Sequence, residues 1–180
     1  MQNIIHTEID GAFKGSVVIS ALKLPAEDCL KLLPKGVHCE VVEDSLLPKD
    51  RLFRNCWKHD TSSSPEKISI DIDGARETAH QIRRMNRQFE YKPHDNIIAK
   101  DIPGADKNAA YTSRDEIRIK DDQLQIDIEA GSSADAFKQT LIDNQQIIEN
   151  RVLDDNGELK SISYFYGKSP NVMVGVEPKQ

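Results

Sequence analysis

Residues 73–89 read DGARETAHQIRRMNRQF, and how this stretch folds decides how the rest of the chain is read. Ala75, Ala79, Ile82, Asn86 and Phe89 recur at intervals of three and four, the period of one helical face, and four of the five are apolar. Asp73 is a good side-chain acceptor for the N-terminus of such a helix. The spacing predicts a helix over 74–89. On the neighbouring face stand Arg76, Arg83 and Arg87, seven and then four residues apart, with Arg84 beside them. Planar guanidinium groups suit phosphates or the carboxylates of a partner. Arg76, Arg83, Arg84 and Arg87 are therefore the expected partner-binding residues. The competing reading is a solvated face, neutralised in part by Glu77.

Just upstream, residues 68–72 (ISIDI) alternate apolar and polar side chains as on a half-buried strand. Residues 16–20 (SVVIS) and 39–43 (CEVVE) also read as strands. Between them lies a short helix over 26–33, opened by Pro25 and stopped by Pro34 and Gly36. Residues 52–58 read as a further strand or an extended segment pinned by Phe53 and Trp57. A β-α-β beginning is expected. The stretches 61–65 (TSSSP) and 103–113, rich in Gly, Pro, Asp and Asn, read as loops.

Downstream of residue 113, Ile117 and Ile119 alternate with charges, as do Leu124, Ile126 and Ile128, with Asp121-Asp122 between them. This pattern predicts a hairpin. Ser132 or Ser133 caps a helix to about Leu153, striped by Phe137, Leu141, Ile148 and Val152. Asp155-Asn156-Gly157 breaks the chain, and a final hairpin over 161–166 and 172–176 turns at 167–170 (GKSP). The expected class is α+β, with small mixed or antiparallel sheets and two main helices at 74–89 and 133–153. The expected organisation is an α+β region at 1–90, a linker at 91–113 and a hairpin-helix-hairpin region at 114–180.

Composition narrows the function classes. A 38% hydrophobic fraction over 180 residues is enough for a core. No apolar run approaches the 18 or so residues of a membrane helix. The start, MQNIIHTEID, lacks the basic-then-apolar pattern of a secretory signal. An odd set of cysteines (Cys29, Cys39 and Cys56) then favours free thiols in a reducing compartment. The net charge of −6 opposes sequence-independent binding to a phosphate backbone.

Residues 36–44 (GVHCEVVED), 47–57 (LPKDRLFRNCW) and 70–84 (IDIDGARETAHQIRR) resemble a group of phage and prophage proteins. That group carries segments like GVPYxIV, LPxDRTFRNAW and IDMDKAREIHRDRIRR in the same order. The resemblance covers about residues 15–87. It implies a gene lying among phage tail or accessory genes, and it carries no assigned activity or cofactor. Cys56 stands where the group has alanine, so no thiol function is implied. After about Glu90 the chain departs from the group's continuation, a helix leading into an acidic tail, and reads as a replacement module.

Catalytic chemistry finds little support in the residue pattern. A zinc site could draw on His38, Cys39, Cys56 and His59, since Cys56 and His59 are spaced like half of a zinc-binding set. Adjacent strand residues point to opposite faces, however, and no CxxC pair exists. Cys29 lies in an apolar helix and no GxSxG elbow is present. Gly167-Lys168-Ser169 lacks the preceding glycine of a phosphate loop, with Ile162 in its place. The carboxylates Asp71, Asp73, Asp121, Asp122, Asp127 and Glu129 read as solvated charge. No catalytic residue, metal or cofactor is expected. The leading expectation is a non-enzymatic phage or prophage accessory protein that binds another protein, in virion assembly or in modulating a host factor. It would act in the cytoplasm of a bacterial host, or associated with the virion. A nucleic-acid-binding regulator using the arginine-rich helix is the first alternative, and an enzyme of unrecognised class the second.

Overall fold

Ile4 and Ile5 are adjacent and both buried, at 3% and 0% exposure, so the strand carrying them has both faces covered. That strand is β1 (Gln2–Thr7). The computed structural model describes residues 2–7, 15, 17–21, 25–33, 36–61, 68–100 and 103–175. Ser16, Pro34, residues 62–65 and Val176, all assigned from sequence, lie outside them. The fold is α+β and divides into two units, Met1–Asp71 and Ile72–Gln180.

In the first unit, β2 (Val17–Ala21) and β3 (Cys39–Glu43) flank β1, each antiparallel to it. Both are therefore parallel to each other, with α1 (Ala26–Lys31) between them in sequence. The β-α-β reading thus holds as a split unit, with β1 inserted between its two strands. β1 itself has no sequence signal, because burial on both faces erases alternation. Leu52, Phe53, Cys56 and Trp57 are buried, as the pinned-segment reading anticipates. β4 (Trp57–His59) then pairs antiparallel with β5 (Ile68–Ile70).

The second unit opens with α2 (Ile72–Ala99), which contains the expected helix and extends it through Pro93. Its buried face is the one read from sequence: Ala75, Ala79, Ile82 and Asn86 are buried, and Phe89 meets the Tyr166 ring edge-on at 5.7 Å. The expected loop at 91–113 is instead the end of α2, a break at Pro103-Gly104 and the start of α3 (Ala105–Ala130). The expected hairpin at 117–128 is likewise helical. Ala110, Asp121, Leu124 and Ile128 are buried, whereas Ile119 and Ile126 are 64% and 61% exposed. Ile117, Leu124 and Ile128 fit a period near 3.6 within the alternation that suggests a strand, whereas Ile119 and Ile126 fit only the period of two. Length, together with the absence of Gly and Pro from 105–130, tips the balance toward helix.

The helix expected to run to Leu153 stops at Asp143. α4 (Ala134–Asp143) is capped by Ser133, whose Oγ accepts the Ala136 N–H at 3.1 Å. Gln145 then adopts φ of 53°, and residues 147–153 become β6 (Ile147–Leu153). β6, β7 (Leu159–Tyr166) and β8 (Ser169–Met173) form an antiparallel meander. Ile148 and Val152, read as a helix stripe, project from one face of β6 and stay exposed at 44% and 40%.

Asn86 ties these elements together. It is fully buried; its Nδ2 donates to the Ile82 carbonyl at 3.0 Å and to the Gln146 carbonyl at 2.8 Å. Its Oδ1 accepts the Lys168 N–H at 2.8 Å. Asn86→Leu keeps the volume and removes all three bonds. A loss of about 2 kcal/mol in urea denaturation is expected; wild-type stability would contradict this role.

Candidate functional site

The expected binding arginines separate into two kinds. Arg83 and Arg87 converge on one carboxylate of α3, that of Asp121. Both donate from Nη1 to its Oδ2, Arg87 at 2.7 Å, and Arg83 Nη2 also donates to Gln125 Oε1 at 3.0 Å. The side chains of Arg83 and Asp121 are 7% and 5% exposed, while that of Arg87 is 34% exposed. Burial pushes the Arg83 pKa down, and the Asp121 charge opposes that shift. Arg84 instead forks onto Glu77 at 3.0 and 3.1 Å on the exposed side of α2. This bond holds the Glu77 carboxyl below its usual range. Arg76 pairs with Asp73 at 2.8 Å, its guanidinium 5.3 Å from the centre of the Phe137 ring.

Further contacts run along the same seam of α2 and α3. His80 Nε2 lies 3.0 Å from Glu129 Oε1, and Arg114 pairs with Asp95 at 3.1 Å while stacking over Tyr91. Residue numbers rise on one helix as they fall on the other, so the helices are antiparallel. The acidic residues read from sequence as hairpin charge, Asp121 and Glu129, are thus the partners of the α2 basic face.

Where this seam meets the β7–β8 turn, a cavity of about 130 Å³ opens. Arg83, Arg87, Lys120 and Lys168 face it together with Asp121 and Glu90, four cations against two carboxylates. Lys168 Nζ is 3.6 Å from Glu90, and Lys120 is exposed. The volume is below the roughly 300–1,000 Å³ of sites for whole small molecules. No cysteine, serine or histidine lines it. It can receive a carboxylate or a similar small anionic group, to which guanidinium and ammonium donors are complementary. Lys120 carries no functional signal in the sequence, and Lys168 carries only the superficial likeness of Gly167-Lys168-Ser169 to a phosphate loop. The sequence places Lys168 in a hairpin turn, and it does occupy the turn between β7 and β8.

The zinc set weighed from sequence does not assemble. Cys56 is buried in the first unit's core, and alternation along β3 points Cys39 away from the side of His38. No helix among the described residues is long and apolar enough to cross a membrane. Comparison with protein-family models, with curated proteins and with solved structures finds no match.

Proposed function

We propose that the second unit binds a protein partner by taking an acidic side chain or terminal carboxylate into the cavity between α2, α3 and the β7–β8 turn. The observation that carries this reading is the cationic excess around the cavity in a chain whose net charge is −6. An acidic surface repels acidic partners in general, so a local reversal of sign selects where an acidic group docks. The reading is favoured over nucleic acid because Asp73 and Glu77 hold Arg76 and Arg84. The helix therefore lacks the unbroken cationic track that a phosphate backbone follows. It is favoured over catalysis because the cavity has no nucleophile flanked by a base. A phage or prophage setting, inside a bacterial host cell or on the virion, is part of the proposal on the strength of the sequence resemblance of residues 15–87.

The test pairs affinity capture from host extract with a salt titration on labelled DNA and RNA, each with wild type and Lys120→Glu. A protein retained by wild type and lost by Lys120→Glu is the expected outcome, with no nucleic-acid binding at low salt. Nucleic-acid affinity that falls steeply with salt and is lost in the variant would establish the regulator reading instead.

A further inference from the structure

We infer that His38, Glu40 and His59, in the first unit, bind a divalent transition-metal ion. His38 immediately precedes β3 and Glu40 is its second residue, so the two-residue period of extended chain turns both side chains to one side. His59 ends β4 and arrives from 19 residues further along the chain. The fold brings one ligand atom from each of the three within 4.8 Å of the others. The two imidazole centres are 5.4 Å apart, and His38 Nε2 lies 3.1 Å from Glu40 Oε1. Ligand atoms on a tetrahedral ion with bonds of about 2.0–2.1 Å stand roughly 3.3 Å apart. The His38–Glu40 pair already has that separation, and His59 offers its ring nitrogen within 4.8 Å of both.

The supporting strands are anchored. Glu40 pairs in register with Ile5, which is fully buried, and Trp57, two residues before His59, is 5% exposed. Ligands on fixed strands lose little freedom when the ion arrives. Two neutral imidazoles and one carboxylate form a mixed nitrogen and oxygen donor set suited to Zn²⁺, Fe²⁺, Co²⁺ or Ni²⁺; Mg²⁺ and Ca²⁺ prefer oxygen throughout. The His38 side chain is 58% exposed, so three protein ligands would leave a position open to water or to a partner's donor. Sequence reasoning names His38 and His59 but misses Glu40, because it joins His38 to its neighbour Cys39 when strand alternation joins it to Glu40.

The experiment is calorimetric titration of Zn²⁺ into the full chain, purified without a polyhistidine tag, together with visible absorption of the Co²⁺ form. One equivalent should bind. His38→Ala, an exposed change that spares the core, and Glu40→Gln should each weaken binding by on the order of 100-fold, since even residues that only orient a metal ligand are worth roughly 10–100-fold. His94→Ala, in the second unit, should leave binding unchanged. Absence of binding, binding indifferent to His38→Ala and Glu40→Gln, or thiolate-to-cobalt charge-transfer bands placing the ion on cysteine would overturn the inference.

Discussion

Asp121→Ala is expected to destabilise the protein by about 3–5 kcal/mol, the cost of leaving a buried guanidinium without its counter-ion. Arg83 and Asp121 are both nearly inaccessible to water, and Arg83 also donates to the Asp121 main-chain carbonyl at 3.4 Å. Truncating the carboxylate leaves Arg83 charged in a medium that has already pushed its pKa down. Arg87, one-third exposed, can turn to solvent and contributes less to the loss. Replacing the ion pair by apolar residues of similar volume removes the penalty, so Arg83→Met combined with Asp121→Leu should recover most of the stability. Guanidinium chloride denaturation of the single and double variants checks both statements. A loss under about 1 kcal/mol for Asp121→Ala would mean that water reaches the pair.

Gly167→Ala is the second large effect. A Cβ there would stand 1.9 Å from the Gln145 carbonyl oxygen and 2.7 and 2.9 Å from the carbonyl carbons of Gln145 and Gln146. All three are backbone atoms, which cannot rotate aside. The β7–β8 turn would have to move, breaking the Gly167 N–H bond to the Gln146 carbonyl and the Lys168 N–H bond to Asn86, both 2.8 Å. The expected loss is about 3 kcal/mol or more. Gly157→Ala is the control: its φ of 81° is strained for alanine, but nothing lies within 4 Å of the new Cβ. It should cost only about 1–2 kcal/mol. Equal thermal denaturation midpoints for the two variants would show that the turn yields easily.

The face of α2 was legible because four small or apolar side chains and Asn86 keep the helical period without interruption. The Ser133 cap and the Asp155-Asn156-Gly157 turn were legible for local reasons too: a hydroxyl at a helix start, and a glycine at φ of 81°. α3 was not legible, since Ile117, Leu124 and Ile128 fit two periods at once and Asp121-Asp122 resembles a turn. That one ambiguity hides the destination of the arginine stripe: Arg83 and Arg87 are visible as a row, but the pattern around their acceptor Asp121 predicts a hairpin. The end of α4 was hidden for a different reason. Gln145 takes up the positive φ that a glycine would have announced. The cavity was out of reach of any local pattern, because α2, α3, the α4–β6 connection at Asn144 and Gln146, and the β7–β8 turn each supply part of its lining.

The cavity's attraction for an acidic group is tested most directly by a ¹⁵N chemical-shift titration of the isotope-labelled chain with a glutamate-rich peptide, against a glutamine-rich peptide of equal length. Saturable shifts confined to the amides around Arg87, Lys120 and Lys168, absent with the glutamine peptide and abolished by Lys120→Glu, are the expected result. Shifts that map elsewhere, or that are the same for both peptides, would contradict it.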